Sequence, residues 1–148
     1  MKANELMIGD FVTRQNYENK SVICKIIGLS KNSISVEFDN GSRSMGASED
    51  SINPIPLTSE ILEKNGFEQN GISNEDMEFE NEDYSDETYV WSQRIDGYGE
   101  VIVSVYIEYG NECVEIHCPN GAVDNNCRYV HQLQHALRLC GIEKNIEL

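Results

Sequence analysis

Two stretches of alternation constrain this chain more than anything else in it. Ile34, Val36 and Phe38 alternate with Ser35 and Glu37, while Val101, Val103, Val105 and Ile107 alternate with Ile102, Ser104, Tyr106 and Glu108. A period of two places each apolar set on one face of a strand, where a helix needs a period near 3.6. Asn40-Gly41 follows the first stretch directly and predicts a type I′ hairpin. Ahead of it, residues 22–29 are apolar on both faces (Ile23, Ile26, Ile27, Leu29), and Ile8-Gly9-Asp10-Phe11-Val12 introduces another strand. Roughly five short strands within residues 6–57 predict a small barrel.

Pro54 and Pro56 end that region, and Thr58 is placed to cap a short helix over 59–65, with Gly66 at the left-handed position after it. A second sheet is predicted from Tyr89-Val90-Trp91, a turn at Asp96-Gly97-Tyr98-Gly99, the return strand through Val101, and a third strand over 113–118. Asp124, Asn125 or Asn126 then caps a helix over about 127–140, ended by Gly141. The expected fold class is α+β: a small barrel in 1–57, then a helix, a three-stranded antiparallel sheet and a C-terminal helix in 58–148. Whether the two parts share one core is left open.

The Gly9-Asp10-Phe11-Val12 opening with tightly spaced strands resembles an SH3-like barrel. A wider resemblance rests on Met1-Lys2-Ala3-Asn4-Glu5-Leu6 with Ile8-Gly9-Asp10, on Pro54-Ile55-Pro56-Leu57-Thr58 through Glu60-Ile61-Leu62-Glu63-Lys64-Asn65-Gly66-Phe67, and on Tyr129-Val130-His131-Gln132-Leu133-Gln134. Together these segments resemble a family of small, acidic, uncharacterised proteins of gut anaerobes and their phages and mobile elements. The resemblance implies a setting and no activity.

At 39% hydrophobic over 148 residues, the chain suits one domain or two very small ones. Its charge is the outlier: 26 acidic residues against 11 basic give −15. Such a field repels phosphate backbones and anionic membranes, which argues against direct nucleic-acid binding. Eight of those acids, Glu75, Asp76, Glu78, Glu80, Glu82, Asp83, Asp86 and Glu87, fall in one strip of thirteen residues. The plain reading is a solvated loop, and the sharper one a strip that imitates phosphate spacing or docks on a basic partner. No run approaches the ~18 apolar residues of a membrane span. The opening residues lack a secretory pattern, so the five cysteines (Cys24, Cys113, Cys118, Cys127, Cys140) are expected as free thiols in a cytoplasm.

The tempting chemistry lies on the last helix. His131 and His135 are four apart, the spacing at which two imidazoles share a metal, and Cys127 extends the series. The string reads His-Gln-Leu-Gln-His, however. Gln132 stands where a zinc protease carries its general-base carboxylate and cannot take a proton from a bound water. At about 100° per residue, Tyr129, Val130, Leu133, Ala136, Leu137 and Cys140 share an apolar face, and Arg128, His131, His135 and Arg138 gather opposite it. That predicts solvated histidines in a mildly basic, partner-facing patch, suited to pairing with the 75–87 strip or another acidic surface. His117 and Cys113 share a strand face but sit about 13 Å apart, too far for one zinc.

No G-x-S-x-G elbow, phosphate loop or dinucleotide fingerprint occurs, and Cys118 points to the predicted core. The expected function is therefore non-enzymatic, without cofactor: an accessory or interaction protein of a phage or mobile element, binding another protein, with self-association left open. An acidic nucleic-acid mimic that inhibits a host DNA-binding or defence protein is the alternative. A metal-dependent hydrolase built on His131 and His135 is the second.

Overall fold

Ser33–Phe38 forms a strand because its alternation gives Ile34 and Val36 a buried face while its backbone pairs on both sides. A computed structural model describes the chain apart from Tyr17, Asn19, Asn32 and Asn126 and residues 73–88, 109–110 and 120–122; at 71–72, 105–108, 111–113 and 123–125 it describes the main chain alone. By their contacts the residues fall into two units, Met1–Pro56 with Tyr129–His135 and Leu57–Arg128 with Ala136–Leu148.

The first unit carries β1 (Phe11–Gln15), β2 (Ser21–Ser30), β3 (Ser33–Phe38), β4 (Arg43–Ala47) and β5 (Ile52–Asn53), in the sheet order β4-β3-β2-β1-β5. All neighbours are antiparallel, with Val12 opposite Cys24 and Ile26 opposite Val36. Leu6, Val12, Cys24, Ile26, Ile34, Val36, Ala47 and Ile52 make one buried cluster. The β3–β4 turn differs from the Asn-Gly type I′ form. Gly41 donates to the Phe38 carbonyl at 2.8 Å, so Asp39 and Asn40 stand at the centre and Gly41, at φ 76°, is the left-handed residue that follows.

The second unit carries α1 (Ser59–Lys64), β6 (Glu68–Ile72), β7 (Tyr89–Ile95), β8 (Gly99–Glu108), β9 (Asn111–His117) and β10 (Val123–Asn125), with sheet order β10-β9-β8-β7-β6. Trp91 faces Val103 across β7–β8, and Val103 faces Ile116 across β8–β9. The Thr58 hydroxyl accepts from the Ile61 amide, and Gly66 (φ 79°) lets Phe67 N–H reach the Leu62 carbonyl at 3.0 Å, which closes α1.

The α+β expectation of an SH3-like barrel followed by a three-stranded sheet is overturned. The protein is mostly β, each unit is built on a five-stranded antiparallel sheet, and the described residues hold two α-helices. The additional strands of the second sheet are its edges, β6 (Glu-Gln-Asn-Gly-Ile) and β10 (Val-Asp-Asn). An edge strand pairs through its main chain and needs no apolar alternation, so polar segments serve there without a periodic signature.

The second helix, α2, spans Val130–Leu139 and so starts later than its predicted N-terminus, because Asp124 and Asn125 belong to β10. Its first amide, Val130 N–H, donates to the Ile55 carbonyl at 2.9 Å, and the Gln132 side chain reaches back to the Tyr129 amide at 3.0 Å. This is the glutamine half of a capping box. No helix among the described residues is long and apolar enough to cross a membrane.

Candidate functional site

The turn before β1 is closed by its own residues. Gly9, at φ 95°, allows the reversal, Asp10 N–H donates to the Met7 carbonyl at 3.2 Å, and the Asp10 carboxylate accepts the Met7 N–H at 2.6 Å. The turn also joins the sheet, because Gly9 N–H donates to the Ile26 carbonyl and Ile26 N–H donates to that of Asp10.

From α2, two consecutive side chains hold the same segment. Gln134 spans it, its amide oxygen accepting from Phe11 N–H at 2.9 Å and its amide nitrogen donating to the Gly9 carbonyl at 3.2 Å. His135 Nε2 lies 2.8 Å from Asp10 Oδ2. Asp10 has 0% exposure, so this is a carboxyl group taken fully out of water and hydrogen-bonded on both sides. Both glutamines of the His-Gln-Leu-Gln-His string thus have structural roles: Gln132 caps α2, and Gln134 secures the turn.

His131 stands one helical turn before His135, its ring centroid 5.6 Å from that ring and nearly perpendicular to it, and the Tyr129 ring stacks with it at 5.8 Å. It is 3% exposed, and its Nδ1 has no hydrogen-bond partner among the described residues. Burial pushes its pKa below the ordinary imidazole value. Asp10 and Glu5 act against that shift, and His135 reinforces it.

The expectation that both histidines face solvent is therefore corrected. The apolar face of α2 forms as predicted, with Val130, Leu133, Ala136, Leu137 and Cys140 buried. The 7–11 segment of the first unit encloses the imidazole side as well, something a wheel drawn from one helix cannot register. Arg128 is exposed, Arg138 and His135 are half-buried, and His131 is buried, so His131 does not face solvent as that patch expected. His135 does meet a carboxylate, and it is Asp10. Glu75, Asp76, Glu78, Glu80, Glu82, Asp83, Asp86 and Glu87 lie outside the described residues.

Among the described residues, no group of three His, Cys, Asp or Glu side chains is arranged to hold a metal ion. Two surface clefts, of about 470 and 540 Å³, are lined by residues such as Arg94, Tyr98 and Lys144 in the second unit and Lys2, Leu29 and Lys31 in the first. Neither includes Asp10, His131 or His135 in its lining. What the polar cluster does is fix a shape: the tip of the turn it secures carries Met7 and Ile8, 43% and 65% exposed. Asp10 and Gln134 escape a sequence reading that treats Gly9-Asp10 as an ordinary turn, since their partners are about 125 residues away. No family model, curated protein or solved structure matches the chain.

Proposed function

We propose that the protein is a non-enzymatic interaction module that docks onto a basic partner protein through the Met7–Ile8 turn. One observation carries this reading: a fully buried aspartate, a glutamine and a histidine hold rigid a turn whose tip shows two large apolar side chains to solvent. A Gly-Asp turn ahead of a strand closes without such reinforcement, and burying a carboxylate is costly unless it is fully paired. Fixing an apolar tip in advance lowers the ordering cost of docking it into a socket. A partner with a basic rim around that socket follows from the net charge of −15, which steers association with cationic surfaces and repels acidic ones. Phages and mobile elements are the setting that the family resemblance implies for such an accessory protein.

The test is affinity capture from the native host at low and high salt, run in parallel with wild type and Ile8→Asp. The proposal expects a stoichiometric partner that the variant loses at both salt concentrations. A partner retained by Ile8→Asp yet released by salt would replace it with the acidic-mimic reading, for which the same charge speaks. Substrate turnover abolished by mutating one pocket residue would end the non-enzymatic reading altogether.

A further inference from the structure

In the second unit, two buried cysteines meet at a single atom. Cys118 directly follows β9, and its thiol donates to the Ala136 carbonyl with Sγ 3.7 Å from the oxygen. The backbone N–H of Cys140, at the end of α2, donates to that same carbonyl at 3.2 Å. Sharing one acceptor brings the Cys118 sulfur alongside Cys140, and the two thiols are within hydrogen-bonding reach of each other. Neither is in a disulfide, and they are 7% and 3% exposed. Gly141, the next residue, is left-handed at φ 74° and lines the cleft of about 470 Å³ together with Arg94, Tyr98 and Lys144. The helix end that carries Cys140 therefore borders a space open to small solutes.

We propose that Cys118 and Cys140 are a peroxide-sensitive dithiol that oxidises to an intrachain disulfide. Cys140, beside the cleft, reacts first. Its thiolate attacks one oxygen of hydrogen peroxide, the O–O bond breaks, a sulfenic acid forms and one water leaves with the thiol proton. The Cys118 thiolate then attacks the sulfenic sulfur, the S–S bond forms as the S–O bond breaks, and a second water carries away the Cys118 proton. Two thiols lose two electrons and two protons, and the peroxide becomes two waters. Burial, with Cys140 alongside, pushes the Cys118 thiol up to about 12, so in the closed state Cys118 stays protonated and the link forms slowly, through openings of the last helical turn. Once formed, the bond ties the end of β9 to the end of α2. This inference is independent of the docking turn, which belongs to the other unit.

The experiment treats the full chain with hydrogen peroxide, caps remaining thiols with iodoacetamide, and maps disulfides after trypsin and Glu-C digestion, with fragment ions separating Cys118 from Cys127. The expected product is lighter by about 2 Da, contains a peptide linking Cys118 to Cys140, unfolds at a higher temperature, and reverts on adding dithiothreitol. Cys118→Ser and Cys140→Ser, each checked by circular dichroism, should each lose the link, while Cys24→Ser keeps it. The wild-type map stands alone if a variant fails to fold. A link between other cysteines, oxidation to sulfinic acid without a link, or no reaction under conditions that oxidise a model thiol overturns the proposal.

Discussion

His135 and Asp10, 125 residues apart in sequence, meet at 2.8 Å with the aspartate wholly removed from solvent. Removing one member of a buried pair leaves the other desolvated and uncompensated, which costs far more than losing an exposed ion pair. Asp10→Ala should therefore lower unfolding stability by about 3 kcal/mol. Asp10→Asn, which keeps an acceptor for Met7 N–H, should cost only about half of that. Urea denaturation of both variants checks this, and equal losses would show that the acceptor kept by asparagine for Met7 N–H contributes nothing.

Gln134 satisfies two main-chain groups, the Phe11 N–H and the Gly9 carbonyl. Gln134→Leu fills the space and leaves both groups unpaired at a cost of about 2 kcal/mol. Hydrogen exchange should locate the damage, with the Phe11 amide losing protection while the Val101 and Val103 amides of β8 keep theirs. A variant with unchanged exchange at Phe11 would remove Gln134 from the account.

His131 gives stability a pH dependence whose sign is fixed by burial. Its pKa is lower in the folded chain than the ordinary value, so the unfolded chain binds more protons between the two values, and stability rises with pH there. The contribution is complete above about pH 6.5 and is lost as pH falls through the folded value. Melting temperatures measured from pH 7.5 to 5 should fall for the wild type, and the decline should be shallower in His131→Leu. Parallel curves would assign the decline to other groups.

Much of the scaffold was legible because it obeys local rules. The alternation behind Ile34 and Val36, that behind Val101 and Val103, the turn at 96–99 and the Thr58 and Gly66 boundaries of α1 each express one element's own period or cap. The polar edge strands β6 and β10 escaped, because edge pairing leaves no apolar trace. The candidate site was only half legible. A wheel places Val130, Leu133 and Leu137 correctly, but whether His131 faces water depends on a turn more than a hundred residues earlier, and no periodicity in α2 encodes that. The meeting of Cys118 and Cys140 was hidden for the same reason.

Two glycines with the same backbone conformation should respond differently to a methyl group. Gly66 has φ 79°, and a Cβ there would lie 2.8 Å from Gln93 Nε2, whereas Gly41 at φ 76° faces open space. Gly41→Ala should cost about 1 kcal/mol from backbone strain alone, and Gly66→Ala somewhat more, because the end of the Gln93 side chain must also swing aside. Thermal denaturation of the two variants decides it, and equal costs would mean that Gln93 yields freely.

The most direct measurement of the docking account is calorimetric titration of the captured partner against wild type, Ile8→Asp and Gln134→Leu at two salt concentrations. The account predicts at least a 100-fold loss of affinity for Ile8→Asp, about 3 kcal/mol. It also predicts a smaller loss for Gln134→Leu, which loosens the turn without altering its tip, and weaker wild-type binding at high salt. Equal affinities for wild type and Ile8→Asp would contradict it and place the interaction elsewhere on the protein.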